Sequence, residues 1–375
     1  MDRKTRIAVV GAGLGGLTVA GFLQRAGFAA TVYEQAPTFS RIGAGIILSA
    51  NATKVLRRLG VEPDLVEAGI KAECYISRAW DTGATQYEIW FDAESEQRFG
   101  GIYLNVHRGD LHAVLEKAVA PGSIKFDHRL TDLQQSGDGV RLIFESGATA
   151  EADLVIGADG IRSKVRDVLL GAELPRFVGM VAHRAIFPAH RLNGFKIPDC
   201  TKWWGRDRHI LAYFMTHKRD EIYVIGVVPA ASWDSDATSL PSRRENLFEA
   251  FGDFHGDLLR VLEAVDDVSV WPIYDRARND RWSGGRLVLI GDACHPVPPF
   301  MAAGGAMAVE DAAILSRCLA TFDNAADALR CYEATRIPRV GDVQRISLEN
   351  SWMRGPTETD WFYCYDSCEA PLAQT

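Results

Sequence analysis

Three glycines near the start of the chain have the spacing that holds a nucleotide diphosphate. Gly11, Gly13 and Gly16 form a G-x-G-x-x-G triplet directly after the apolar run 7–10, and a stretch of good helix formers follows them. Gly11 permits a tight turn, Gly13 lets backbone N–H groups approach a pyrophosphate, and Gly16 lets helix and strand pack closely. The phosphates would then lie at the positive end of the helix. Glu34, 23 residues after Gly11, is placed to accept hydrogen bonds from an adenosine ribose.

Two later segments repeat the pattern of an apolar strand that runs into a tight turn. The run 154–156 leads into Gly157-Ala158-Asp159-Gly160, and the run 287–290 leads into Gly291-Asp292. A short nucleotide needs only the first segment, whereas a cofactor long enough to be held at both ends would use all three.

The third segment predicts which long cofactor this is. Asp292 suits a hydrogen bond to a ribitol chain, although an Asp after a strand also serves as a helix cap. The helix that begins at Gly304 and Gly305 would face the flavin pyrimidine oxygen, where negative charge grows on reduction. The three segments together therefore predict FAD.

The elements that must position these segments form a discontinuous α/β domain. Residues 6–34 read as a βαβ unit, and helices are predicted at 51–70 and 108–119. Residues 72–104 are predicted as strands of a different layer. Strands interrupted by one helix, at about 242–264, are predicted over 176–275, and a hairpin turn at 136–139. The predicted FAD-binding domain covers 1–71, 105–175 and 276–350, the inserted β-rich substrate domain covers 72–104 and 176–275, and the aromatic tail 351–375 packs on the body.

Composition excludes several classes of function. The 375 residues are 47% hydrophobic and 24% charged, which is ordinary for a globular protein of two domains. A net charge of −8 disfavours nucleic acid and anionic membranes as partners. No run of apolar residues is long enough to cross a bilayer, and no apolar signal region precedes the first strand, so a cytoplasmic protein is expected. Seven scattered cysteines indicate reduced thiols, and no metal site is expected.

The three ordered segments resemble the signatures of a known family. Gly11–Gly16 with Glu34, then Ala158-Asp159-Gly160, then 291–296 are similar to the motifs of the single-component FAD-dependent aromatic hydroxylases, the relatives of para-hydroxybenzoate and salicylate hydroxylase. The resemblance covers nearly the whole chain. It implies the para-hydroxybenzoate hydroxylase type of fold, non-covalent FAD, NADH or NADPH as reductant, dioxygen as co-substrate, and a monomer or homodimer.

The resemblance also implies which residues hold the cofactor. Arg41 and Arg108 match positions that contact the flavin or its phosphates, and Asp159 matches a residue linked to FAD and pyridine-nucleotide binding. The alternative for Arg108 is a surface helix start, but Arg at a helix N-terminus is electrostatically poor, which favours a bound anion nearby. The expected cofactor-binding residues are Gly11, Gly13, Gly16, Glu34, Gln35, Arg41, Arg108, Asp159, Asp292, Pro299, Gly304 and Gly305.

Further stretches resemble one branch of the family, which hydroxylates a hydroxypyridine carboxylic acid at the ring carbon that bears the carboxylate and releases CO2. They lie at 43–46, 107–111, 181–185, 200–204, 207–209 and 218–221. The implied substrate pocket contains Ile47, Cys200, His209, Tyr213, Val227 and Phe300. The branch has histidines at positions 47 and 300, but Ile47 and Phe300 neither accept a proton nor pair with a carboxylate. A more apolar pocket and a different hydroxylated aromatic acid are therefore expected.

His209 and Tyr213 are the candidate catalytic residues. They are four apart on an alternating segment and so share one face, which lines a pocket or faces water. Leu211 and Met215 lie on the same face and are apolar, which favours the pocket. Tyr213 is expected to contact a polar group of the substrate and His209 to relay a proton.

The sequence therefore predicts an NAD(P)H- and O2-using monooxygenase of a small hydroxylated aromatic or pyridine carboxylic acid. Hydroxylation with loss of CO2, simple ortho or para hydroxylation, and a non-hydroxylating flavin oxidoreductase stay open.

Overall fold

The computed structural model describes residues 1–41, 44–137 and 139–374. Gly43 of the branch-specific stretch and Asp138 of the predicted hairpin turn lie outside the described residues. The strands are β1 (Arg6–Val10), β2 (Ala29–Tyr33), β3 (Gly45–Leu48), β4 (Ile70–Lys71), β5 (Cys74–Ala79), β6 (Thr85–Trp90), β7 (Leu104–His107), β8 (Ile124–Lys125), β9 (Leu130–Gln135), β10 (Val140–Phe144), β11 (Thr149–Ala152), β12 (Leu154–Gly157), β13 (Arg176–Pro188), β14 (Cys200–Trp204), β15 (His209–Phe214), β16 (Glu221–Pro229), β17 (Leu240–Arg243), β18 (Asp267–Asp275), β19 (Ser283–Gly284) and β20 (Leu287–Leu289). The helices are α1 (Leu14–Arg25), α2 (Ala50–Arg58), α3 (Glu62–Ala68), α4 (Ala93–Phe99), α5 (Arg108–Glu116), α6 (Lys164–Leu170), α7 (Arg244–Phe251), α8 (Gly256–Glu263), α9 (Gly304–Thr321), α10 (Ala325–Glu349) and α11 (Asp360–Tyr363).

A mainly parallel sheet brings the three glycine segments together. Its strand order is β19-β20-β12-β1-β2-β8, and β1 pairs in parallel with β12, as does β12 with β20. β12 and β20 are buried along their whole length, as strands covered on both faces should be. Because parallel strands end at the same edge of a sheet, the turns that follow β1, β12 and β20 meet there. The predicted α/β class is confirmed.

A second sheet of eight strands stands beside the first. Its order is β17-β18-β13-β16-β15-β14-β5-β6. Helices α7 and α8 cover one face, where Phe251 and Leu258 pack with Ile210 of β15. The opposite face carries Tyr213 and Tyr223, which belong to the core shared with the parallel sheet. Side-chain alternation along β15 therefore sends odd-numbered residues toward the cofactor half.

Smaller sheets connect these two. β3, β7 and β4 form an antiparallel sheet whose strand β3 reaches the edge where the glycine turns meet. β9, β10 and β11 form the predicted meander. None of the helices in the described residues is long and apolar enough to cross a membrane.

Three element predictions were wrong in detail. The helix predicted at 51–70 is two helices, because Gly60 adopts a left-handed backbone with φ of 71° after α2. The helix predicted at 242–264 is also two, α7 and α8. Residues 93–99, predicted as strand, form α4, because the Asp92 side chain accepts the Ser95 N–H and Gly100 ends the helix in a left-handed conformation.

A buried ionic network fixes α9 against α10 and the third glycine turn. Glu310 and Asp311 on α9 are fully buried. Asp311 accepts hydrogen bonds from Nε of Arg336 at 2.7 Å and from the Gly291 N–H at 2.9 Å, and Nε2 of His295 lies 2.6 Å from the same carboxylate. Burial alone would raise the pKa of Asp311, but His295 and Arg336 lower it to about 2. The stability from this carboxylate is present above pH 4 and is lost as the pH falls toward 2.

Glu310 is the second centre of the network. It accepts hydrogen bonds from Arg336 at 2.5 Å, from Arg339 at 2.7 Å on each oxygen, and from Asn51 of α2 at 2.7 Å. Burial favours the neutral acid, yet the two arginines lower the pKa of Glu310 below its usual value. Both carboxylates are therefore ionised, and three helices are joined through them.

Arg336→Met tests this network. The substitution leaves two buried carboxylates short of a cation, so we expect the free energy of unfolding to fall by about 3–5 kcal/mol in urea denaturation. Arg345→Met is the matched control on the same helix, because its ion pairs with Glu349 and Asp342 are exposed and should contribute under about 1 kcal/mol. Equal losses in the two variants would contradict this account.

Candidate functional site

A cleft of about 750 Å³ opens where the turns after β1 and β12 meet. Gly11, Gly13, Glu34, Gln35 and Arg108 line it, as does Asp159. The structure thus brings together residues predicted to bind the cofactor from the first two glycine segments. At this volume the cleft is large enough for a cofactor-sized ligand.

The first turn has the backbone that its glycines predict. Gly11 adopts φ of 97°, and its N–H donates to the carbonyl of Tyr33 at 2.8 Å. A Cβ built at Gly16 would overlap the carbonyl oxygen of Gly11, so only glycine fits there. Nothing lies within 4 Å of a Cβ built at Gly13, which borders open space at the start of α1. The turn is therefore closely packed at Gly16 and open at Gly13, where a ligand can approach the backbone.

Glu34 ties this turn to the end of β2. Its carboxylate accepts the N–H of Ala12 at 2.8 Å and the N–H of Ala36 at 2.9 Å. Each carboxylate oxygen has lone pairs left over, so the side chain can also accept from a ribose hydroxyl. Gln35, next to it, is exposed at the cleft.

Asp159 and Arg41 have partners within the protein. Asp159 accepts hydrogen bonds from Ser163 and from the N–H of Lys164, at 2.5 and 2.7 Å, and so caps α6 while bordering the cleft. The guanidinium of Arg41 pairs with Asp110 and Glu221 and is not among the residues that line the cleft. Direct cofactor contact by these two side chains stays a prediction.

Arg108 is differently placed. It is exposed at the cleft, at the first residue of α5, and has no carboxylate partner among the described residues. Burial and then the positive charge of Arg108 lower the pKa of His112, another residue of the cleft, to about 4. A free guanidinium in this position suits an anion such as a diphosphate.

Sequence reasoning missed further cations around the cleft. Arg129, Arg162 and Lys164 line it as well. None belongs to a glycine motif. Arg129 directly precedes β9, Arg162 lies in the segment before α6 and Lys164 is the first residue of α6, so only the fold shows that they converge. Together with Arg108 they complement the negative charge of a diphosphate.

The third segment leads from the cleft to a buried cavity. Asp292 is an exposed residue, yet the protein packed around its carboxylate raises the pKa of this group, against the opposing charges of His295 and Arg108. It forms no hydrogen bond with the described residues. A Cβ built at Gly304 would come within 3.8 Å of its Oδ1, and one at Gly305 within 3.0 Å of Ile46.

These features fit FAD. Helices α1 and α9 both begin without a side-chain cap, so their first N–H groups are available at two points along the site. Glycines at both helix starts keep side chains out of the space, cations line one end, and Asp292 offers free carboxylate oxygens at the other. A dinucleotide with a central diphosphate and a hydroxylated chain matches this order of donors and acceptors.

A second, smaller cavity lies between the eight-stranded sheet and the segment 299–302. Its free space is about 30 Å³, room for about two waters, so an aromatic ring must displace side chains to enter. Ala302 and Met353 of its wall hold left-handed backbone, with φ of 54° and 60°, a strain that is common at functional sites. The lining residues are Ile47, Tyr75, Tyr103, Lys202, His209, Leu211, Ile225, Val227, Pro299, Phe300, Met301, Ala302, Trp352 and Met353.

The predicted pocket residues divide into two groups. Ile47, His209, Val227 and Phe300 line the cavity, together with Pro299, which was predicted as a cofactor residue. Cys200 and Tyr213 do not line it.

Strand register explains the division. On β14 and β15 the cross-strand pairs are 204 with 209, 202 with 211, and 200 with 213. His209 of the first pair and both residues of the second line the cavity. The third pair lies one step beyond, where Tyr213 packs on Gly45 and edge to face on Tyr223. Their substrate contacts stay predictions.

His209 is a neutral imidazole in the cavity wall. Burial and then the charge of Lys202 lower its pKa well below the usual value. Its ring packs 5.0 Å from the Trp204 ring and edge to face on Phe300 at 5.7 Å. Among the described residues neither ring nitrogen has a hydrogen-bond partner, and the side chain lines the cavity.

Lys202 is a functional candidate that sequence reasoning did not single out. Its side chain is 4% exposed and lines the cavity. The signal was present in the strand alternation, because Lys202 lies opposite Leu211, on the face assigned to the pocket.

Comparison with known proteins agrees with this geometry. Residues 4–347 match the family described as FAD binding domain. The chain is 45% identical to 6-hydroxynicotinate 3-monooxygenase of Bordetella bronchiseptica, over 100% of this chain and 98% of that protein. It is 37% identical to 3-amino-4-hydroxybenzoate 2-monooxygenase of Streptomyces platensis, over 92% of this chain and 87% of that protein. The crystal structure of Klebsiella pneumoniae HpxO with FAD and uric acid superposes with a TM-score of 0.83 at 26% identity, over 96% and 92% of the two chains.

Gly13→Ala and Gly16→Ala separate ligand contact from packing. Gly13→Ala should fold with an unchanged melting temperature but bind FAD at least about tenfold more weakly, because the methyl group fills space that a pyrophosphate needs. Gly16→Ala should lose stability as well, because it overlaps Gly11. FAD titration of the two apoprotein variants by flavin fluorescence measures their affinity for FAD, and their melting temperatures measure stability.

Gly256→Ala is the control, since its Cβ also meets nothing within 4 Å but lies far from the cleft, at the start of α8. Unaltered FAD binding by Gly13→Ala would show that no phosphate approaches this turn.

Proposed function

The chain belongs to the FAD binding domain family and is an FAD-dependent aromatic-ring monooxygenase, and from that premise we propose that its substrate is a small hydroxylated aromatic or pyridine carboxylic acid. The observation that carries the proposal is the cavity at the ring end of the cofactor site. Its wall is aromatic and aliphatic except for an amine, an imidazole and two phenols, from Lys202, His209, Tyr75 and Tyr103. A flat, largely apolar molecule with a few polar substituents matches this wall.

FAD, when bound, supplies the redox chemistry that activates dioxygen. The protein must hold the target carbon of the ring at the flavin side of the cavity, and the apolar side chains of Ile47, Val227 and Phe300 give it a shaped surface to do so. Met301 and Met353 are flexible thioethers in the same wall, so they can move aside for the ring and then pack on it.

Exclusion of water is the second task. Trp352 and Met353, from the chain after α10, close the cavity and are 7% and 2% exposed. The segment that starts at Pro296 has prolines at three of four positions, which removes N–H groups that would otherwise hold water near the ring. A dry cavity favours oxygen transfer to the substrate over release of hydrogen peroxide.

His209 is proposed to take the proton of the substrate hydroxyl. A neutral imidazole with an unbonded nitrogen accepts a proton, and an ionised hydroxyl makes the ring electron-rich. Tyr213 lies one strand pair away and is proposed to support the pocket at Gly45 and to meet larger substrates.

NADH or NADPH is the proposed reductant, on the chain's resemblance to class A hydroxylases. The protein is proposed to act in the cytoplasm as a monomer or homodimer. All seven cysteines, each in the described part of the chain, carry unpaired thiols, which supports a reducing compartment.

Two reactions are considered, hydroxylation with loss of CO2 and simple hydroxylation, and different observations support each. Decarboxylative hydroxylation is supported by the 45% identity to a 6-hydroxynicotinate enzyme. Simple hydroxylation of a substituted benzoate is supported by the apolar Ile47 and Phe300, which favour a benzene over a pyridine ring, and by the aminohydroxybenzoate enzyme.

A substrate panel tests the proposal. We expect 6-hydroxynicotinate, 3-amino-4-hydroxybenzoate or a close analogue to speed NAD(P)H oxidation by the holoenzyme roughly tenfold or more. Mass spectrometry then separates a product that only gains oxygen from one that also loses CO2. If no aromatic acid in a broad panel accelerates the oxidation, the proposed substrate class is wrong.

His209→Gln tests the proton acceptor. Hydroxylation should slow by about 100-fold or more, while NAD(P)H oxidation continues and ends in hydrogen peroxide. Tyr213→Phe should change the rate far less, because Tyr213 does not line the cavity. The reverse order of effects, measured as product formed per NAD(P)H consumed, would reassign the role to Tyr213.

A further inference from the structure

Lys202 is a buried ammonium whose donors are mostly unused. Its Nζ lies 3.3 Å from the carbonyl oxygen of Phe300 and 3.7 Å from the centre of the Trp204 ring. An ammonium has three donors, and Phe300 takes one. No carboxylate pairs with Lys202 among the described residues, so two donors remain for a ligand in the cavity.

The surroundings of Lys202 contain no negative charge that would explain its burial. The titratable groups that face its amine or its Trp204 neighbour are Cys200, Tyr75, Tyr103, His209 and Arg354. Burial raises the pKa of the thiol and of both phenols well above their usual values, and His209 is neutral as well, so these four carry no charge near pH 7. Arg354, which approaches the Trp204 ring from the tail, adds positive charge. Strands β3 and β16 and the segment 299–302 contribute only apolar side chains to the cavity.

We infer that Lys202 is the specificity-determining residue of this cavity and that its amine pairs with the carboxylate of the ring substrate. The inference rests on the proposed function, since it assigns one substituent of that substrate to one side chain. Ile47 and Phe300 offer no charge, so within the cavity Lys202 is the group that can neutralise a carboxylate. The contact to Phe300 sets the amine beside the segment 299–302, which is expected to border the flavin ring.

The energetic cost of this arrangement supports a binding role. Burial lowers the pKa of Lys202 to about 7, so the folded protein is destabilised by this side chain at neutral pH. Lys54 shows the contrasting case of a buried lysine, because its Nζ donates to the carbonyls of Phe99, Tyr363 and Cys364. Lys54 joins parts of the fold, whereas Lys202 has its free donors at a cavity.

The pairing makes binding of an anion depend on pH. Below pH 7 the amine is charged and an aromatic carboxylate binds directly. Above pH 7 the amine of the free protein is neutral, so binding must take up a proton, and the dissociation constant should rise about tenfold for each pH unit. An uncharged ligand of the same shape should show neither effect.

Calorimetric titration of the holoenzyme with benzoate and benzyl alcohol tests the inference without turnover. At pH 8, in buffers of different ionisation enthalpy, we expect benzoate to bind with uptake of close to one proton and benzyl alcohol with none. In Lys202→Met, benzoate should bind about thirtyfold or more weakly and without proton uptake, and benzyl alcohol should be unchanged. Lys218→Met, at an exposed turn, is the control and should match the wild type.

The outcomes separate the two proposals. Equal affinity of wild type and Lys202→Met for benzoate, or proton uptake that persists in the variant, would overturn the role of Lys202 even if aromatic acids are hydroxylated. Loss of benzoate binding together with benzyl alcohol binding would overturn it as well. Lys202-dependent benzoate binding in an enzyme that hydroxylates no acid would uphold the anion site and refute the proposed function. Lys202→Met should keep or raise the melting temperature, whereas a structural lysine would lower it.

Discussion

The structure depends on a pair of carboxylates that are buried in adjacent positions of one helix. Glu310 and Asp311 are stable as anions only because Arg336, Arg339 and His295 surround them. Asp311 also binds the N–H of Gly291, so the same charge that holds α10 on α9 sets the turn after β20. That turn presents Asp292, and α9 presents its free N–H groups. Removal of one cation would therefore disturb both the packing of α10 on α9 and the turn that carries Asp292.

The cofactor half was largely predictable because its signals are local. A glycine triplet, an acidic residue after the second strand and apolar runs before tight turns each follow from backbone geometry, and parallel pairing then brings them to one edge. Arg41 was harder, since its partners Asp110 and Glu221 are distant in sequence and a single arginine does not reveal which anion it meets. Helix α4 was missed although its two caps were visible, because the surrounding alternation suggested strands.

The substrate half was less predictable because its cavity is defined by packing between sheets. The alternation of side chains predicted which residues of β15 face inward, but it did not predict where along that face the cavity would lie. The register with β14 places it over His209 and Leu211 and leaves Tyr213 outside. Lys202 was missed for the same reason. A lysine in a strand usually faces water, and only the segments 299–302 and 352–353, which cover this part of the sheet, enclose its side chain.

The cavity wall also has a consequence for how its selectivity can change. Its residues come from β3, β5, β14, β15 and β16, from Tyr103 directly before β7, from the segment after the third glycine turn, and from the chain beyond α10. No single loop contains all the lining residues. Replacing one lining segment with the corresponding segment of a relative would therefore change one side of the cavity, and the unchanged residues opposite would no longer pack against it. New preferences should arise through coordinated substitutions spread over the gene, and chimeras with crossovers between these stretches should more often lose activity than exchange it.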